Sequence, residues 1–213
     1  MTFNDTDNRS SPNIVSIVLA AGESKRMGYP KALLKADRKT FVRTIIENHR
    51  NAGILKNIVV VGADREKLAA ELHSLSVDIA YNENYKNGQL SSIQTGLACA
   101  AQFSPDAVLV HPVDHPLIFQ DTITAMVKTF AATHPAIVIP TQRGRRGHPV
   151  IFSSGLFSEL FSAPLGIGAR FVVRNHNADV LEIETGDAGI LNNIDTPEMY
   201  EHLRANLRSS SER

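Results

Sequence analysis

Several loops of this 213-residue chain gather residue types that handle phosphate groups and hard cations. The richest reads Leu19-Ala20-Ala21-Gly22-Glu23-Ser24-Lys25-Arg26-Met27-Gly28-Tyr29-Pro30-Lys31 and follows an apolar run at 14–19. Small side chains at Ala20, Ala21 and Gly22 let a ligand approach the main chain, where successive N–H groups can form a concavity for an anion. Arg26 and Lys31 add positive charge beside it. The spacing fits neither a Walker A loop nor a Gly-x-Gly-x-x-Gly turn. A solvated strand-to-helix loop whose cations keep the surface soluble is the plainer alternative.

A second stretch, His111-Pro112-Val113-Asp114-His115-Pro116-Leu117, follows another apolar run. A carboxylate placed there can coordinate a hard cation shared with phosphate oxygens, and magnesium is the natural ion for Asp114. The rival is a zinc site on His111, Asp114, His115 and His148, since imidazole suits that metal, but no ligand pair at helical spacing accompanies it. For His111 and His115, hydrogen bonding within the loop is the simpler role. Farther on, Asn192-Asn193-Ile194-Asp195-Thr196-Pro197-Glu198 reads as a strand exit entering a helix, with Asp195 or Thr196 as N-cap and Pro197 in the first turn. Asp195 becomes a second magnesium ligand only where the fold carries it to Asp114.

Two further segments suit polar ligands. In Asn87-Gly88-Gln89-Leu90-Ser91-Ser92-Ile93 the serines either cap a helix or face the polar edge of a bound base. Arg143-Gly144-Arg145-Arg146-Gly147-His148-Pro149 either meets a second anion, through Arg146, Gly147 and His148, or forms a solvated turn. Cys99 reads as a small buried apolar residue in mid-helix. Neither Ser24 nor the Ser91-Ser92 pair sits in a Gly-x-Ser-x-Gly elbow, which disfavours a serine nucleophile.

What must hold these loops is an α/β frame. Apolar runs at 14–19, 57–61, 77–81, 107–111 and 136–140 recur with helical patterns between them, the rhythm of βαβ units. The first four are unbroken Val, Ile, Leu and Ala stretches, as in parallel strands covered by helices on both faces. Ligands of such sheets sit beyond the carboxyl ends of the strands, where the loops above fall. Helices are expected at 40–52, with Thr40 as N-cap and Gly53 as stop, at 65–75 and at 90–101. Past Pro140 the pattern loosens into a short run at 150–152, two short helical patterns, a run at 180–183 and a final helix at 197–207. One domain, 13–207, is expected between loose tails at 1–12 and 208–213.

Composition narrows the classes of function. Lys plus Arg and Asp plus Glu each number 22, so no net charge draws the chain to nucleic acid or an acidic membrane. An aromatic content of 6% offers little for bases to stack on. No apolar run approaches the roughly 20 residues of a membrane span, and the polar start lacks a secretory pattern. A lone cysteine excludes an intrachain disulfide and a multi-cysteine metal cluster, which fits a reducing cytoplasm.

Taken as a set and in order, Leu19-Ala20-Ala21-Gly22-x-Ser24-x-Arg26-Met27-Gly28-x-Pro30-Lys31, residues 88–93, Asp114-His115-Pro116-Leu117, Gly147-His148-Pro149-Val150 and residues 193–198 resemble the MobA-like nucleotidyltransferases. The resemblance spans 14–207. It implies a Rossmann-like nucleotidyltransferase fold with a mostly parallel central sheet, and transfer of a nucleoside monophosphate from an NTP with release of pyrophosphate and magnesium as cofactor. Carried across, Gly22, Arg26 and Lys31 match the triphosphate-binding signature. Ala20, Ala21 and Ser92 match positions lining the nucleobase, and Asp114 and Asp195 match the metal-binding positions. Ala-Ala-Gly is similar to the cytidylyl branch, the molybdenum cofactor cytidylyltransferases, which implies CTP as donor and molybdopterin as acceptor. The chain departs from that branch at Leu165-Gly166-Ile167-Gly168-Ala169-Arg170, where the branch carries Gly-Asp-x-Gly-Ala-Arg. It also has Asp114-His115-Pro116 for Asp-Gln-Pro and Asn193-Ile194-Asp195 for Asp-Ile-Asp, changes that keep both metal carboxylates.

A phosphate monoester acceptor has a second pKa of about 6, so its oxygen is ionised at neutral pH and needs no general base. Catalysis would then rest on Arg26, Lys31 and Asp114 through positioning and electrostatics. Two alternatives belong to other classes. One is a nicotinamide-dependent oxidoreductase of the nicotine-blue type, whose first loop is similar. The other is a non-catalytic nucleotide-binding accessory protein, with a molybdoenzyme or its chaperone as partner.

Overall fold

The computed structural model describes residues 11–211, with side chains through 207. Of the expected tails, 1–10 and 212–213 lie outside the described residues. In chain order the elements are β1 (Ile14–Ala20), β2 (Lys35–Ala36), β3 (Lys39–Thr40), α1 (Phe41–Asn51), β4 (Lys56–Val61), α2 (Arg65–Leu75), β5 (Asp78–Tyr81), α3 (Gln89–Ala100) and β6 (Ala107–Pro112). They continue as α4 (Gln120–Thr133), β7 (Ile137–Gln142), β8 (Arg145–Arg146), β9 (Val150–Ser153), α5 (Phe157–Ser162), α6 (Arg170–Asn175), β10 (Val180–Glu184) and α7 (Pro197–Ser211).

Three of the apolar runs, those of β1, β4 and β6, become buried parallel strands because both faces of the sheet are covered there, whereas β5, parallel as expected, lies at the sheet edge and leaves Ile79 and Tyr81 exposed. Leu90, Ile93 and Leu97 of α3 pack on Ile17, Leu19 and Val60 on one face. On the other, Phe41 and Ile45 of α1 and Leu68 and Leu72 of α2 cover Val18 and Val59. Beside them Ile123, Met126 and Phe130 of α4 cover Leu109 and Val138. The sequence pattern named no helix in the interval that α4 fills. Helix α1 starts where its cap predicts, with Thr40 Oγ1 accepting from the Arg43 amide at 3.3 Å and donating to Glu71 at 2.7 Å. Such a cap contributes about 1 kcal/mol.

The strand order is β10-β7-β9-β6-β1-β4-β5, with β8 paired to β7. β1 runs parallel to both β4 and β6, and β5 runs parallel to β4. β9 lies antiparallel between β6 and β7, while β10 is parallel to β7. A parallel crossover takes a dozen residues or more, and the short return through β8 is too tight for one. After β1 the chain builds outward through β4 and β5, then returns to lay β6 on the opposite side of β1. This reversal opens a crevice beyond the carboxyl ends of β1 and β6, the usual ligand position of an open α/β sheet. The register pairs Val18 with His111 and Leu19 with Pro112, so the two succeeding loops emerge side by side.

The second half departs from the sequence pattern in two places. Residues 192–196 do not leave a strand, because β10 ends at Glu184 and a 3-10 turn, Ala188–Ile190, intervenes. Thr196, not Asp195, serves as the cap of α7, its Oγ1 accepting from the Met199 amide at 3.4 Å. That helix runs to Ser211, past the boundary expected at Leu207.

Candidate active site

The loop after β1 folds back on itself through Ser24. Its carbonyl accepts from the amides of Met27 and Gly28 at 2.9 and 3.0 Å. Its hydroxyl oxygen accepts from the Lys31 amide at 3.2 Å. Gly28 takes φ of +70°, a conformation cheap only for glycine, and the turn carries Lys31 back over the crevice. There the Lys31 ammonium lies between two carboxylates, 3.4 Å from Asp114 Oδ2 and paired with Asp195 Oδ1. Arg26 reaches Asp195 Oδ2 at 3.1 Å, and Asn193 Nδ2 donates to the same oxygen at 2.7 Å. The loops bearing the two carboxylates are joined by their main chains, the Ile194 amide donating to the Asp114 carbonyl at 2.8 Å.

Ala20, Ala21, Gly22, Arg26, Lys31, Ser92, Asp114 and Asp195 all line one cavity of about 400 Å³. Arg146, Gly147 and His148 line a second, of about 510 Å³, whose remaining wall is largely apolar and includes Phe152 and Val173. Gly88 and Gln89 line both, so the two cavities adjoin. Arg146 is already engaged, donating to Glu182 at 2.7 Å and to Asn177 at 2.9 Å. A Cβ on Gly147 would lie 2.5 Å from the Ile190 carbonyl oxygen, so only glycine lets this loop pass.

Neither serine of the third loop caps its helix, since Gly88 holds the N-cap position of α3. Ser91 instead donates to the Gly88 carbonyl at 2.8 Å. Asn82 organises both, its amide nitrogen donating to Ser91 at 2.9 Å and to Ser92 at 3.0 Å. The sequence reading missed this residue, although it stands directly after β5 where such loops gather ligand contacts. Cys99 is half-buried and packs against the core, not fully enclosed as expected.

Charge and burial set the protonation states. Burial raises the Asp195 carboxyl, but Lys31 and Arg26 outweigh it and hold the group below the ordinary carboxylate value. Beneath the Asp114 loop runs a chain of buried polar groups. Asn57 Oδ1 accepts from Ser16 at 2.6 Å and lies 3.2 Å from His49 Nδ1. His49 Nε2 meets His111 Nδ1 at 2.9 Å, and His111 Nε2 meets the His115 carbonyl at 2.9 Å. Both ends of this chain are acceptors, so two neutral rings bring two protons to three contacts, and each ring nitrogen of His111 faces a partner whichever contacts they fill. With both ring nitrogens of His111 engaged, the zinc alternative does not assemble, and among the described residues no group of three His, Cys, Asp or Glu is placed to hold a metal.

Burial pushes His49 and His148 down to about 4 and His111 well below its usual value. Unfolded imidazoles titrate near 6.5, so between the two values the unfolded chain binds more protons. Stability is then complete above about pH 6.5 and is lost as pH falls toward 4. His176, raised by its surface pair with Glu159, acts in the opposite direction. We expect the urea midpoint at pH 5 to lie clearly below that at pH 7. A midpoint unchanged over that range would contradict the neutral, buried state of these rings.

Residues 16–180 match the MobA-like NTP transferase domain. The chain belongs to the MobA-like NTP transferase family. It is a nucleotidyltransferase of the MobA-like type, and members of this family commonly work with a divalent metal ion. Among relatives, the nicotine blue oxidoreductase of Paenarthrobacter nicotinovorans is 29% identical over 207 residues, covering 93% of this chain and 98% of that one. The molybdenum cofactor cytidylyltransferase of Escherichia coli (strain K12) is 28% identical over 189 residues, covering 86% of this chain and 92% of its own. In solved structures, Rv0371c from Mycobacterium tuberculosis H37Rv matches with a TM-score of 0.77 at 23% identity, covering 91% of this chain and 98% of that one. Among the described residues of this MobA-like chain, no helix is long and apolar enough to cross a membrane.

The donor set of the crevice suits a hard divalent ion. Two carboxylates offer oxygen ligands, and such ions in nucleotide sites characteristically take one or two carboxylates and complete their shell with water and phosphate. That the pair already embraces an ammonium supports its affinity for positive charge.

Proposed function

We propose that this MobA-like protein transfers CMP from CTP to a phosphorylated small molecule, with molybdopterin the preferred acceptor, and releases pyrophosphate. The observation that carries this reading is the convergence of Asp114 and Asp195 on Lys31 at the mouth of the Ala20-Ala21-Gly22 loop. In this reading the first cavity holds CTP, with Ala20, Ala21 and Ser92 beside the base and Gly22, Arg26 and Lys31 along the triphosphate. The adjoining cavity, with Arg146, Gly147 and His148, receives the acceptor. Asp114 and Asp195 hold magnesium, which when bound offsets charge on the phosphate oxygens. An ionised acceptor oxygen forms the new bond to the α-phosphorus as the bond to pyrophosphate breaks. Arg26 and Lys31 steady the departing pyrophosphate, so positioning and fixed charge supply the rate.

The cytidylyl assignment draws on the Ala-Ala-Gly sequence and on the likeness to the Escherichia coli molybdenum cofactor cytidylyltransferase. A cytoplasmic setting suits such chemistry and the lone Cys99. The test is to incubate the protein with each NTP, magnesium and molybdopterin and to measure pyrophosphate. Release with CTP above the other nucleotides is the expected result, and no release with any NTP would sink the reading.

One observation favours a second reading, the 29% identity to nicotine blue oxidoreductase over nearly the whole chain. An oxidoreductase would change nicotinamide absorbance and release no pyrophosphate. A non-catalytic accessory protein serving a molybdoenzyme or its chaperone would bind CTP without turnover.

A further inference from the structure

We propose that Lys31 is a resident counter-ion that keeps the Asp114–Asp195 pair closed to free divalent ions and yields it only when a triphosphate arrives. The inference rests on the metal site of the proposed function and adds a condition for its use. Each solvent-facing oxygen of the pair already has a donor. Asp195 Oδ2 accepts from Arg26 and Asn193, and Asp195 Oδ1 and Asp114 Oδ2 both face the Lys31 ammonium. The remaining oxygen, Asp114 Oδ1, is buried without a hydrogen-bond partner, with His115 Nε2 4.0 Å away. An entering ion must therefore displace an ammonium whose side chain is only 15% exposed.

Charge points the same way. Two carboxylates against Lys31 and Arg26 sum to zero, so a divalent ion entering alone leaves a net +2 in a partly buried cleft. A triphosphate reverses that sum and gives the ammonium other oxygens to pair with. Lysine suits the exchange, being a point charge on a flexible stem with no planar fork to realign. Where the binding-competent arrangement is a minor one, apparent affinity falls in proportion to its population. Nucleotide then raises metal affinity by making that arrangement the major one, and metal does the same for nucleotide.

The test uses Mn²⁺ as probe, titrated against the whole protein and followed by the electron paramagnetic resonance of the free ion. Wild type alone should bind weakly, and wild type with a non-hydrolysable CTP analogue, after subtraction of the Mn²⁺ held by the same analogue without protein, at least about tenfold more tightly. Lys31→Met without nucleotide should also bind at least about tenfold more tightly than wild type alone. Lys31→Gln serves as a second variant, with folding of both checked by circular dichroism. Arg26→Met removes the same charge from a side chain that is 70% exposed and pairs with Asp195, and should have a smaller effect. Should wild type gain affinity with the analogue while both Lys31 variants bind like wild type, the counter-ion role is overturned and the metal site stands. Should no form bind Mn²⁺ even with the analogue, the metal site falls as well. Tight binding by nucleotide-free wild type would overturn the proposal outright.

Discussion

Replacing Asp114 with alanine should lower turnover by about three orders of magnitude, the several kcal/mol that an oriented ion at a phosphoryl centre supplies. The same change should leave stability unchanged or raise it slightly. Its loop is held by main-chain contacts that alanine keeps, chiefly the bond from the Ile194 amide to the Asp114 carbonyl at 2.8 Å. The substitution also removes a buried oxygen that has no partner, which in itself relieves the folded state. Lys31 loses one neighbour and keeps Asp195. Pyrophosphate release and a urea midpoint measured on the same preparation check both halves. Full metal-dependent turnover in the variant would refute the role given to Asp114, and a large loss of stability would show that the carboxylate is structural.

The second large effect is expected at Gly147. A side chain there meets the Ile190 carbonyl at 2.5 Å, and Ile190 is fully buried with no space to retreat. Gly147→Val should cost about 1–3 kcal/mol of stability, as overpacking does. Its larger consequence is functional, because the same backbone places Arg146 and His148 on the wall of the second cavity. We expect the KM for the acceptor to rise by about tenfold or more, a loss of about 1.4 kcal/mol in binding. CTP affinity, which the proposed function sets in the neighbouring cavity, should stay within about twofold, a change of only about 0.4 kcal/mol. Unaltered acceptor kinetics would separate this loop from the acceptor, and parallel loss of CTP binding would show that the two cavities do not act independently.

How much of this was legible in the amino-acid sequence depended on the range of the interaction. Apolar runs and local caps are near-neighbour signals, so β1, β4, β6 and the Thr40 cap of α1 could be read directly. The loop after β1 announced itself through small residues and cations. Asp195 could be read only as a helix cap on local grounds, because its partnership with Lys31 spans 164 positions. The resemblance to a family marked it, and the strand reversal at β1 is what brings it near Asp114. Residues acting through others left no local mark. His49 sits on α1 like any helical residue, and its bond to His111 follows only from the packing of α1 beneath β6. Asn82 was within reach, since the rule used for the other strand ends applied equally to β5. The direction of β9 was set by the brevity of its connection, a signal present in the sequence but not in its hydrophobicity.

The main-chain bond from Ile194 to Asp114 and the span from Lys31 to Asp195 mean that the centre is completed where a late segment of the chain packs against its first loop. A frame lacking that segment would keep only half of the proposed anionic clamp and would lose Ile190, Ile194 and Leu203 from its interior. Damage that lifts the stretch beyond β10, such as a proteolytic nick, should therefore silence the enzyme and loosen its interior together. Catalytic output would thus report on the integrity of the whole chain.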